Sequence, residues 1–219
     1  MMPPCLEQAL KYRNDNKFSV FPVGQDKKPL VEWKKYQGYM AEDDHIIRWW
    51  QKWPRANVGI ATGKLSDLGV VDIDSEEGRK NIMEVLGPNW AAPLVRTPRG
   101  GIHIYFKNDN RVKNKVGVIP GTDFRGEGGY VVAPPSLGQN GKPYEWFQGF
   151  GLGDIPIPPL PQAYIDRVTA EQAAKQSSHE IDENQAFEQG RRNSDLFHAL
   201  YAMSTWVPEQ ELRILAYQL

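Results

Sequence analysis

One cysteine, Cys5, stands in a chain of 219 residues. That excludes an intrachain disulfide and a zinc site built on a cysteine cluster. An excess of one charge is lacking too: 26 Lys and Arg against 27 Asp and Glu leave a formal net charge of -1. No global basic field advertises a polyanion, so any contact with nucleic acid has to come from a local patch. No apolar run reaches the roughly 20 residues needed to cross a bilayer, and the N-terminus lacks the charged-then-apolar layout of a signal peptide. The expectation is an intracellular, cytoplasmic protein with no membrane partner. What is present is the composition of a globular domain, on a chain long enough for one good-sized core plus an appendage.

Periodicity supplies the elements. Residues 4–15 have helical spacing, and Phe18 to Val23 is a strand closed by Gly24. A lysine-bearing loop, Asp26 to Leu30, leads into an aromatic stretch from Trp33 to Tyr39. Residues 42–53 form a helix stopped by Pro54, with Trp49, Trp50 and Trp53 placed either for a core or for stacking on bases. Strands follow at 57–61 and 68–74, then a helix over 76–86 capped by Asp74 or Ser75. Short strands are expected at 94–97, 102–107, 116–119, 122–125 and 130–133. Asn140-Gly141 signals a hairpin joining the region of Ser136 to Pro143–Phe147. After Gly149 a proline-rich exit leads to a helix at about 161–175, a polar linker to 184, and helices from Asn193 to Leu219.

Chemistry concentrates between Gly69 and Ser136. In Gly69-Val-Val-Asp-Ile-Asp-Ser, alternation puts Asp72 and Asp74 on one face about 7 Å apart while Val71 and Ile73 face the core. Two like charges so placed repel unless a cation lies between them. His103 lies on the polar face of the apolar strand Ile102–Phe106, four residues after Arg99 and just past Gly100-Gly101. Glycines there let backbone amides approach a ligand closely. Asp123 and Arg125 share a face, which fits either a salt bridge or a phosphate contact. With a third carboxylate and an imidazole, the set points to metal-bound phosphates. The dense basic run from Lys107 to Lys115 is either a template contact or a solvated hairpin loop.

In order, the motifs are Asn57-Val-Gly-Ile-Ala-Thr-Gly, Val71-Asp-Ile-Asp, Gly100-Gly-Ile-His, and Asp123-x-Arg-Gly-x-Gly-Gly-Tyr-Val-Val-Ala-Pro-Pro-Ser. Over residues 5–165 or so they resemble the bifunctional DNA primase–polymerase domain of the archaeo-eukaryotic primase superfamily, found on plasmids, phages and integrated elements. The resemblance implies an α/β (α+β) fold: a mixed, mostly antiparallel sheet flanked by helices, an RRM-like catalytic core with the acids and His103 on one open sheet face. It implies Asp72, Asp74 and Asp123 as catalytic, metal-binding acids for two Mg²⁺ or Mn²⁺ ions. His103 and Arg99, with Gly100, Gly101 and Arg125, would bind the nucleotide. The implied partners are a single-stranded or primed DNA template and dNTPs or NTPs. Relatives often have Asp-x-Glu where this chain has Asp72-x-Asp74, and serine where it has Gly101.

Three segments are expected: a catalytic domain over 1–165, a helix and linker over 166–184, and the start of a helical bundle over 185–219. Gly190-Arg-Arg-Asn-Ser-Asp-Leu-Phe resembles the helical region that follows such domains, often ahead of a helicase. Two rivals share the acids: a non-catalytic replication-initiator module that binds nucleic acid, and a metal-dependent nuclease or phosphodiesterase.

Overall fold

The structure is a computed structural model and describes residues 2–88 and 90–177. The helical region expected after the linker lies outside the described residues, as does the linker from 178 onward. Helices α1 (Pro4–Asn14), α2 (Asp43–Lys52), α3 (Glu76–Leu86) and α4 (Gln162–Ser177) alternate with nine strands. These are β1 (Val20–Val23), β2 (Asn57–Ala61), β3 (Gly69–Ile73), β4 (Leu94–Arg96), β5 (Ile102–Phe106), β6 (Lys115–Ile119), β7 (Thr122–Arg125), β8 (Tyr130–Ala133) and β9 (Glu145–Trp146). The α+β class expected from the sequence holds. The strands form two sheets, a small one in the order β1-β2-β8 and a large one in the order β6-β7-β3-β5-β4-β9. All their pairings are antiparallel.

Both faces of the large sheet are covered. Val71, Ile73, Ile104 and Phe124 pack on one side against Ile82 of α3 and Tyr164, Ile165 and Val168 of α4. Val70, Val95 and Tyr105, on the other side, join the core of the small sheet, α1 and α2. Each such side chain stabilises the fold by about 1.5–3 kcal/mol when fully buried. Burial on two faces is why β3 is apolar throughout apart from Asp72. The same logic corrects the expectation of an open sheet face. Val70 and Tyr105 share the face of Asp72 and His103 by alternation, and apolar residues there demand a cover. Asp72 and His103 therefore open into a cleft between the two sheets.

Local contacts fix where β3 ends. The Ser75 hydroxyl caps α3 by accepting a hydrogen bond from the Gly78 amide at 3.0 Å. Gly78 lies so close to the Gly121 carbonyl that any Cβ would collide with it. The β6–β7 turn thus closes against the first turn of α3, and Asp74 is held between strand and helix.

The long motif ending in Ala-Pro-Pro-Ser is stitched to β2. Ser136 Oγ accepts from the Val58 amide at 2.9 Å. The Asn57 side chain donates to Leu137 O at 2.8 Å and accepts from Leu137 N at 2.9 Å. Gly141 closes a turn by donating to Gly138 O at 2.9 Å. The chain returns as the expected hairpin, with Gly138 N donating to Lys142 O and Tyr144 N to Ser136 O, both at 2.8 Å, and beyond it β9 pairs with β4. Trp146 packs there edge-on against Tyr105, with ring centroids 5.1 Å apart. In α2, Trp50 is buried and donates its indole N–H to Ala56 O at 3.1 Å, so Trp49 and Trp50 serve the core. No helix among the described residues is long and apolar enough to cross a membrane.

Candidate active site

Register across three adjacent strands sets the site. Asp72 of β3 stands opposite His103 of β5 on one side and opposite Asp123 of β7 on the other. Residues directly opposite in an antiparallel pair project on the same face, so the three side chains form one row. Arg125, two residues past Asp123, completes it. Its Nη2 lies 2.6 Å from Asp123 Oδ2 and 3.7 Å from Asp72 Oδ2. Of the two readings open for Arg125, this structure displays the salt bridge. The other oxygen of Asp123 accepts from the Gly117 amide at 2.9 Å.

His103 Nε2 lies 3.4 Å from Asp72 Oδ1, within ion-pair reach but not aligned as a hydrogen bond. Asp72 Oδ1 and His103 Nδ1 are both buried without a hydrogen-bond partner. A buried acceptor left unpaired costs about 1–3 kcal/mol, and more when charged. Burial acts to raise the Asp72 carboxyl, but His103, Arg125 and Lys27 outweigh it and hold it below its ordinary value. Asp74 goes the other way. Burial and the neighbouring Asp72 charge raise its carboxyl, against smaller opposing effects of Lys27 and His103. Two carboxylates pushed apart in this manner mark a coupled site.

The glycines before His103 have separate roles. Pro98-Arg99-Gly100 forms a three-residue hairpin loop: Gly100 N donates to Thr97 O at 2.9 Å, and Thr97 N to Gly101 O at 2.9 Å. Gly100 has a φ of 84°, and its carbonyl accepts from the Arg79 guanidinium. Gly101 gives room to Asp74: a Cβ there would stand 2.7 Å from Ile73 O and 2.9 Å from Asp74 Oδ1. Arg99, at the loop's tip, is near enough for its charge to act on the Tyr144 hydroxyl.

A cleft of about 270 Å³ opens over the row and includes Asp72, His103 and Arg125 in its walls. Asp74, Asp123, Arg99, Gly100 and Gly101 lie outside that wall set. Sequence reasoning missed Tyr144, Asn114 and Lys27, which line the cleft as well. Tyr144 is pushed up to about 12 by burial and then by the Asp72 and Asp74 charges, with its ring centroid 5.9 Å from that of His103. It is a fixed phenolic donor at neutral pH. Its one signal in sequence is the alternation Tyr144-Glu-Trp146 after the glycine turn. Asn114 falls in the basic run from Lys107, whose Arg111 is tied to Asp109 at 2.7 Å.

Among the described residues, no group of three or more His, Cys, Asp or Glu is gathered closely enough to hold a metal ion. The pair Asp72 and Asp74 nonetheless fits a divalent cation. Both offer hard oxygen donors, one oxygen of Asp72 is buried with no aligned hydrogen-bond donor, and the Asp72 charge raises the Asp74 carboxyl. Asp123 is already occupied by Arg125 and the Gly117 amide.

Fold and cleft together define an antiparallel α+β domain with a carboxylate, an imidazole and two cations in the walls of one cleft, a class of site suited to phosphate esters. The model of the bifunctional DNA primase/polymerase N-terminal family matches residues 9–163, well over half of the chain, and the chain belongs to that family. Nucleotidyl transfer in DNA replication is the activity at family level. No curated protein matches the chain.

Proposed function

We propose that the domain is a template-dependent DNA primase–polymerase that joins nucleotides at the site formed by Asp72, Asp74 and Asp123. The observation that carries this reading is Asp72 Oδ1, a buried carboxylate oxygen whose near neighbour His103 Nε2, at 3.4 Å, is not aligned as a hydrogen bond, on a residue placed by register between Asp123 and His103. In the reaction a 3′-hydroxyl attacks the α-phosphorus of a nucleoside triphosphate, and pyrophosphate leaves. Mg²⁺ or Mn²⁺ held by Asp72 and Asp74, with Asp123 as the third acid, would supply charge neutralisation on the leaving group and a lowered pKa for the attacking hydroxyl. His103 keeps Asp72 ionised and oriented at neutral pH and, with Arg99, Gly100 and Gly101, borders the place for the outer phosphates. Arg125 occupies Asp123 in the unliganded domain and is the side chain that must turn toward phosphate for Asp123 to be released. Lys107 to Lys115 would follow the template strand. A plasmid, phage or integrated element as the setting is supported by the motif resemblance.

The bond between Arg125 and Asp123 is the observation that favours a non-catalytic binding module, since it neutralises an acid without any ligand. One assay separates the readings. The protein is incubated with a primed DNA template, labelled dNTPs and Mg²⁺ or Mn²⁺. Primer extension supports polymerisation, shortening supports the nuclease, and retention of unaltered DNA supports the binding module.

A further inference from the structure

Three hairpin loops of the fold share one backbone design, and its most demanding position is glycine in two of them, Gly100 and Gly141, but not in the third. In the loop between β4 and β5, Gly100 takes the left-handed residue, with φ 84°. Between Val23 and Pro29 the same pair of bonds recurs: Lys27 N donates to Gly24 O at 3.0 Å, and Gly24 N to Lys28 O at 2.8 Å. Lys27 holds the left-handed position there, with φ 67°. Glycine is the residue that suits this position in a three-residue hairpin, because a Cβ crowds the backbone. Strain of this sort persists where surrounding structure imposes it, and it gathers at ligand clamps. Lys17 and Asp67 also have positive φ among the described residues, but of the three only Lys27 lines the cleft.

The loop is fastened at that residue. The Tyr130 hydroxyl donates to Lys27 O at 2.9 Å, and Tyr130 packs edge-on against Trp33 with centroids 4.8 Å apart. The ammonium forms no ion pair among the described residues, whereas its neighbour Lys28 faces Asp26 at 3.8 Å. Its charge still acts on Asp72 and Asp74 across the cleft. Arg125, in the same cleft wall, is engaged with two acids, and the His103 ring faces Asp72. A polyphosphate entering the cleft carries several negative charges and finds carboxylates on one wall. Lys27 is the uncommitted positive charge on the wall opposite.

We propose that Lys27 is a polyphosphate anchor, binding the β- or γ-phosphate of the incoming nucleotide across the cleft from the Asp72 row. The inference rests on the nucleotidyl-transfer reading for the identity of the ligand. A lysine acts here as a compact point charge, which tolerates approach of phosphate from several directions.

The test uses the full chain in Mg²⁺ and compares wild type with Lys27→Gly, Lys27→Met and Lys27→Arg. Calorimetry measures affinity for dATP and for dAMP, and thermal melting reports the fold. Lys27→Gly relieves the left-handed strain, so its melting temperature should be no lower than that of wild type. Its affinity for dATP should fall at least tenfold and that for dAMP less than twofold. Lys27→Met, which keeps the strained backbone and the stem length, should repeat the loss, and Lys27→Arg should restore most of it. Unchanged dATP affinity in Lys27→Gly and Lys27→Met overturns the anchor. An equal loss for dATP and dAMP overturns it too, because the contact would not be to the outer phosphates. Failure of the polymerase reading looks different: a wild type that binds dATP in a Lys27-dependent way yet extends no primer.

Discussion

Replacing Asp72 by asparagine keeps the shape of the side chain and removes its charge. The Asp72 side chain is 15% exposed, with His103 Nε2 at 3.4 Å and Arg125 Nη2 at 3.7 Å. Both attractions weaken in the variant. Two penalties vanish with them, the desolvation of a buried carboxylate and its repulsion of Asp74. Arg125 is not stranded, because its 2.6 Å contact with Asp123 survives. Removing one partner of a buried pair is costly when it strands the other charge; with Arg125 still paired and the desolvation of Asp72 relieved, stability should change by about 1 kcal/mol or less. In a protein of this size that moves the melting temperature by about 2–4 °C. Activity should respond far more. Loss of one preorganised electrostatic contact at a developing charge costs about 10²–10³ in kcat, or about 2.7–4 kcal/mol. Single-nucleotide incorporation on a primed template, measured beside a thermal melt, gives both quantities. Incorporation within tenfold of wild type, at an unchanged melting temperature, would refute the assignment of Asp72.

Asp74→Asn should raise the melting temperature in metal-free buffer at neutral pH, because a carboxyl held above its ordinary value destabilises the fold once ionised. That gain disappears below about pH 4, where the acid is protonated in both folded and unfolded chains, and added Mg²⁺ should stabilise wild type more than the variant. Asp72 has the opposite sign: its contribution is present above about pH 4 and is lost as pH falls through its depressed folded value, so an acid melt of Asp72→Asn should be flatter than that of wild type. Gly101→Ser brings a Cβ to 2.7 Å from Ile73 O, and a loss of about 1–3 kcal/mol in chemical denaturation is expected. Ending the chain after residue 177 should leave primer extension intact, whereas ending it at 165 removes the buried Val168 and should lower the melting temperature measurably.

Strand and helix identities were legible because they depend on local pattern. Ser75 before Glu76 and Glu77 marks a helix start, and Gly69-Val-Val-Asp-Ile marks a strand, though its burial on both sides shows only in the fold. The candidate site was legible for a related reason. Asp72, His103 and Asp123 each sit on a short apolar strand, and alternation alone assigns each to the face away from its apolar neighbours. What placed them in one row is register between strands, which no local pattern encodes. The split into two sheets was hidden for the same reason, since β2 pairs with β8 across some 70 residues of chain. Lys27 was invisible on different grounds. A lysine between Asp26 and Lys28 carries no mark of a positive φ; glycine would have, and the residue is informative because it is not glycine. Tyr144 shows its place only once β9 is seen to join β4.

The position of β3 has a consequence for how the molecule loses activity. Asp72 rides on a strand hydrogen-bonded on both sides, to β5 and to β7, in the interior of the large sheet. Amides in such a strand exchange with solvent through the rarest openings of a protein, while hairpin tips open often and locally. Lys27 and Arg99 both ride on hairpin tips. On warming, the grip on substrate should therefore loosen well before the acids lose their spacing. Heat would first show as a rising apparent KM for nucleotide, with the turnover of whatever does bind preserved until the whole sheet gives way.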